Sequence, residues 1–216
     1  MTAQINDTFF YQGESYAIAG ISEGGLFDPA AFGMEPAGTC SNCWRGWQAE
    51  YALAGRQLVV DVLNVNLFER DRRPGSYERV PGPPIGGVLP VDDDQDNIED
   101  EDVEARLRRA SRRSGRFNNR YENLGHALTY TGGLLLASGF IRDLYVNMGF
   151  HPAWKYEKVV ELVFEGGVLQ KECDRSTEMT ELRNLVLAQS QESGAGRRGP
   201  GESIREFIER AFDRRY

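Results

Sequence analysis

Apolar and polar residues alternate along short runs broken by glycine-rich turns, the period of half-buried strands rather than of helices. Trp47, Ala49, Tyr51 and Leu53 alternate with Gln48, Glu50 and Ala52. Ala54-Gly55 then turns the chain, and residues 58–67 return as a second strand rich in valine and leucine. A similar hairpin follows later, where Val159, Glu161, Val163 and Glu165 alternate with Val160, Leu162 and Phe164 before the Gly166-Gly167 turn. Residues 8–11 and 15–18 flank Gln12-Gly13-Glu14, a tight-turn signal. Residues 140–150 have no clear period and fit helix or extended chain equally.

The period lengthens only near the end. Met179, Leu182, Leu185 and Val186 have helical spacing, with Ser176 or Thr177 placed to cap the first turn. A linker of small and polar residues spans about 190–201. Ser203-x-x-Glu206 then forms a capping box before the stripe Ile204, Phe207, Ile208, Ala211 and Phe212.

Several motifs recur in order. Tyr11-x-Gly13 closing at Gly20 matches Tyr130-x-Gly132 closing at Gly139, and Gly33-x-x-Pro36 matches Gly149-x-x-Pro152. Glu50 with Gly55 and Leu58 matches Glu161 with Gly166 and Leu169. The spacing predicts an internal duplication. The expected fold is therefore α+β, with two tandem related mainly-β lobes, 7–70 and 121–175, sharing one core. Each alone has too few short strands to stand independently. Residues 71–120 read as a flexible connector, rich in proline and glycine, then in acid over 92–104, then in arginine over 106–120. C-terminal helices occupy 176–216.

Composition narrows the function classes. The 216 residues carry a net charge of -8, which opposes general nucleic-acid affinity and suits solubility or a basic partner. No apolar run reaches the roughly 18 residues of a membrane span. Residues 1–7 lack the basic start and apolar stretch of a signal peptide, so a cytoplasmic location is expected. Lys155, Lys158 and Lys171 are the only lysines among many arginines, which suggests a GC-rich bacterial genome.

Candidate chemistry concentrates in one loop. Cys40-x-x-Cys43 has the spacing of a thiolate pair on zinc, but a closed site needs four ligands. Cys173, His126 and His151 are the other sulfur and imidazole candidates, and both histidines read as turn or surface residues. The pair Cys40 and Cys43 is the candidate metal site, with zinc the metal it would take; otherwise no cofactor is expected. Trp44-Arg45-Gly46-Trp47 follows at once. Indoles beside a guanidinium can anchor a hairpin or present an interface. Asp92-x-Asp94-x-Asp96 lacks the glycine and bidentate glutamate of a calcium loop. No phosphate loop, nucleophile elbow or metalloprotease helix occurs.

The expectation is a non-catalytic module that binds another protein, in an immunity, defence or signalling assembly. Its candidate contact residues are Trp44, Arg45, Trp47, Phe207 and Phe212. The alternative is a metal-dependent or thiol-based enzyme centred on Cys40 and Cys43.

Overall fold

The computed structural model describes residues 2–70, 77–91 and 117–192. The acidic run with Asp92-x-Asp94-x-Asp96, most of the arginine run, and the final segment with Phe207 and Phe212 lie outside the described residues. Within them the chain is mainly β, as the alternation implies, with one α-helix near the C-terminus.

The strands are β1 (Thr8–Tyr11), β2 (Glu14–Ile21), β3 (Trp47–Ala54), β4 (Gln57–Val65), β5 (Phe68–Arg70), β6 (Tyr77–Arg79), β7 (Asn119–Tyr121), β8 (His126–Ala127), β9 (Gly132–Phe140), β10 (Tyr156–Glu165) and β11 (Val168–Asp174). The helix α1 spans Ser176–Glu192 and so passes the start of the linker expected at 190. Strands β5 and β6 form a separate pair; the rest build one mixed sheet in the order β11-β10-β9-β2-β1-β3-β4-β7. Among the strands of the described residues, only β1 and β3 pair in parallel.

The sheet closes on itself where Val168 of β11 pairs with Gln57 of β4. Backbone bonds from Leu58 N–H to the Gly167 carbonyl and from Leu169 N–H to the Arg56 carbonyl, each 2.8 Å, make the seam. Further along β4 the same edge is covered by β8 at Val59 and Val60, then by β7 at Leu63 to Val65. An edge paired in this way offers no template for another chain.

Closure divides each strand into an inner and an outer face. Phe9, Ile18, Tyr51, Leu58, Leu134, Leu136, Leu162 and Phe164 meet in one core drawn from both halves of the chain. Burying each such side chain contributes about 1.5–3 kcal/mol. On β4 the inward set changes phase, from Leu58 and Val60 to Leu63 and Val65, because a bulge lies opposite Glu50 and Tyr51 and inserts Asp61. Ala19, Leu135, Ala137 and Val159 face outward and pack with Ala153, Tyr156 and Met179 of α1.

The helix differs from its sequence pattern. Met179 packs on the sheet, but Leu182 and Leu185 are 40% and 61% exposed. Arg183 lies toward the protein instead, its Nε donating to the Trp154 carbonyl at 2.8 Å and its Nη2 to the Tyr156 carbonyl at 2.6 Å. Those two charge-assisted bonds fix the rotation of the helix. Over 140–150 the chain leaves β9, makes a single 3-10 turn at Arg142–Leu144 and continues irregularly.

This arrangement does not show the duplication that the repeated spacing suggests. Gly55 and Gly166 both turn hairpins, but Gly13 lies in the β1–β2 turn whereas its counterpart Gly132 opens a strand. A buried asparagine network also ties the first half to the second. Asn118 accepts from Leu67 N–H and donates to the Leu67 carbonyl, and Asn119 bonds Gly82 N–H and the Val80 carbonyl. Asn66 accepts from Asn118 N–H and donates to Thr39. With partners for these polar atoms, burial costs little and the segments are held in register.

Candidate interaction surface

Asp7 precedes β1 and is 1% exposed. Its carboxylate accepts from both terminal nitrogens of Arg45, Nη1 at 2.9 Å, and from Ala49 N–H at 2.9 Å. Arg45 Nε donates to the Trp47 carbonyl at 2.8 Å, and its guanidinium lies 4.0 Å from the centroid of the Trp47 ring. Burial pulls the Arg45 pKa down, yet the adjacent Asp7 carboxylate more than offsets this and holds it raised. The ion pair, the stacked indole and the start of β3 form one unit.

That unit fixes the loop before β3. Gly46 has φ 73, and a Cβ there would lie 2.5 Å from the Ala37 carbonyl carbon. A Cβ on Gly38 would meet the Trp44 carbonyl at the same distance. Only glycine permits this doubled-back path. Asn66 N–H donates to the Gly46 carbonyl at 2.8 Å, and Ala37 N–H to the Asn66 carbonyl at 2.9 Å. The N-terminal segment closes the other side, where Gln4 Oε1 accepts from Trp44 N–H at 3.2 Å and Ile5 N–H donates to the Asn42 carbonyl at 2.8 Å.

The expected site residues therefore divide. Trp47 packs against the core with Phe27 at 6.0 Å, and Arg45 is tied to Asp7, so both build the platform. Trp44 is the residue that reaches out, 49% exposed, with its backbone held on both sides. Asp7 carried no signal in the sequence.

Cys40 and Cys43 face each other across a turn as a single antiparallel bridge. Cys43 is buried, its thiol directed at the Trp47 carbonyl at 3.4 Å, and burial pushes that thiol up against the pull of Arg45. A raised thiol is a poor nucleophile at neutral pH. All three cysteines are free, and among the described residues no group of three or more His, Cys, Asp or Glu could hold a metal ion. His126 instead packs on Phe32 at 5.2 Å and Phe27 at 6.4 Å. No helix among the described residues is long and apolar enough to cross a membrane.

The chain matches no protein-family model, no curated protein and no solved structure.

Proposed function

We propose that the protein is a non-catalytic module that binds another protein through the surface around Trp44. The observation that carries this reading is a half-exposed indole on a loop anchored to a buried ion pair. Interfaces draw most of their energy from a few large side chains, tryptophan and arginine among them. A loop already fixed before binding has little conformational entropy to lose on association. The net charge of -8 favours a basic partner. A bacterial cytoplasmic assembly, of the immunity, defence or signalling kind, is the setting that suits these features.

The β3–β4 and β10–β11 hairpins, with Gly55 and Gly166 at matching turns, support an origin by duplication in which β1 came to lie between β2 and β3. The test of the functional reading is capture from an extract of the protein's own host. Wild type should retain one protein in stoichiometric amount and Trp44→Ala should lose it. Retention that ignores Trp44→Ala refutes the reading.

A further inference from the structure

A second place carries polar groups with nothing to bond. His151, expected in a turn or on the surface, lies in a loop but is only 9% exposed, and neither ring nitrogen has a hydrogen-bond partner. Its ring lies 4.7 Å from that of Phe140 and 5.2 Å from that of Tyr145. Phe140 in turn meets Tyr156 at 5.2 Å, and the Tyr156 hydroxyl accepts from Asn6 Nδ2 at 3.3 Å. Asn6 Oδ1 is buried and likewise without a partner. The two segments are joined directly, since Gln4 N–H donates to the Gly149 carbonyl at 2.7 Å, two residues before Asn6 and His151 respectively.

An unsatisfied buried polar atom costs about 1–3 kcal/mol, and native proteins keep few of them. Here three atoms on two side chains are left over around one aromatic pair. Burial, with the Lys155 charge beside it, pulls His151 down to about 4. The imidazole is therefore neutral at pH 7, one nitrogen donating and the other accepting. Asn6 Oδ1 adds a second acceptor, and the Tyr156 hydrogen a second donor. Turning the Asn6 amide over exchanges its two ends but still leaves one uncommitted. A charged ligand suits such a site poorly; an uncharged group that both donates and accepts suits it well.

We propose that His151, Asn6 and Tyr156 form a binding site for a primary carboxamide, seated beneath the ring of Tyr145. Tyr145 is half-exposed, and its hydroxyl reaches only Asn147, at 3.4 Å. It can swing aside without breaking a buried bond. The carboxamide comes either from a free small molecule or from an asparagine or glutamine of a bound protein. This site is separate from the Trp44 surface, so each can fail alone.

The test is titration of full-length protein carrying ¹⁵N-labelled histidine rings, read by NMR, with acetamide as probe. The two histidines give two resolvable ring systems. Acetamide should shift the His151 nitrogens saturably and leave those of His126 in place. Dimethylacetamide, which cannot donate, should not. Tyr156→Phe and Asn6→Leu, each removing one polar group, should weaken acetamide about fivefold, and Tyr145→Ala should not weaken it. The peptide Ala-Gln-Ala binding more tightly than acetamide assigns the source to a protein side chain; weaker binding assigns it to a free amide. An absence of saturable shift with acetamide, or an equal response to dimethylacetamide, overturns the proposal and leaves His151 to internal water.

Discussion

Deleting either member of the Asp7–Arg45 pair should destabilise the protein severely, and deleting both should cost much less than the sum. Asp7 is 1% exposed, and its carboxylate accepts from both terminal nitrogens of Arg45 and from Ala49 N–H. Arg45→Ala leaves a buried carboxylate stripped of its paired guanidinium. Breaking a buried pair in this way costs about 3–5 kcal/mol, because the surviving charge stays desolvated. Asp7→Ala strands a guanidinium whose side chain keeps 21% exposure, so water reaches it and the loss falls at the lower end, about 3 kcal/mol. Against a total stability of about 5–15 kcal/mol, each single change removes a large share. Asp7→Ala/Arg45→Ala strands no charge, and the coupling should be about 2–3 kcal/mol. Urea titration of the four proteins measures this, since 3 kcal/mol moves the midpoint by about 1–1.5 M at the slope of a domain this size. Single substitutions each costing under about 1 kcal/mol, or losses that simply add, would refute the reasoning.

The remaining predictions follow from local geometry. His151 titrates near 6.5 when unfolded and near 4 when folded, so the folded state resists protonation. Its stabilising contribution is full above pH 6.5 and is lost as pH falls toward 4, by up to about 3 kcal/mol; His151→Phe should flatten the stability–pH slope in that window relative to wild type. Gly55 and Gly167 both have positive φ, but a Cβ on Gly55 meets nothing whereas one on Gly167 would lie 1.8 Å from the Leu128 carbonyl oxygen. Gly55→Ala should therefore cost about 1 kcal/mol, and Gly167→Ala, which forces open the β11–β4 seam, more than about 3 kcal/mol, by thermal melting. Cys40→Ser should change stability by less than about 0.5 kcal/mol, Cys43→Ser should cost about 1 kcal/mol, and a chelator should leave the melting temperature of wild type unchanged.

Much of the sheet is legible in the sequence because burial on one face of a strand imposes a period of two. The inward set Ala49, Tyr51, Val160, Leu162 and Phe164 follows directly from alternation, and the Gly55 and Gly166 turns follow from the backbone those turns require. The order of the strands does not follow. The parallel placement of β1 against β3 depends on residues far apart in the chain, and no local pattern encodes it. Polar burial is equally silent. Asp7, Asn66, Asn118 and Asn119 look like ordinary surface residues until their partners arrive from other segments. Arg183 displaces the expected apolar stripe of α1 because two carbonyls stand where it can reach them. At the candidate surface the sequence marks the stretch Trp44-Arg45-Gly46-Trp47, but the placing of Arg45 and Trp47 as platform, and of Trp44 as the projecting group, depends on Asp7.

The most direct test of the protein-binding account is the affinity of the captured partner for wild type, Trp44→Ala and Tyr77→Ala, measured by isothermal titration calorimetry. Tyr77 is 67% exposed on the separate β5–β6 pair and serves as the control. A central tryptophan anchor contributes about 2 kcal/mol or more on truncation, so Trp44→Ala should weaken binding about thirtyfold and Tyr77→Ala should leave it within about twofold. Equal affinity of wild type and Trp44→Ala, in a protein whose urea midpoint is unchanged, would contradict the account.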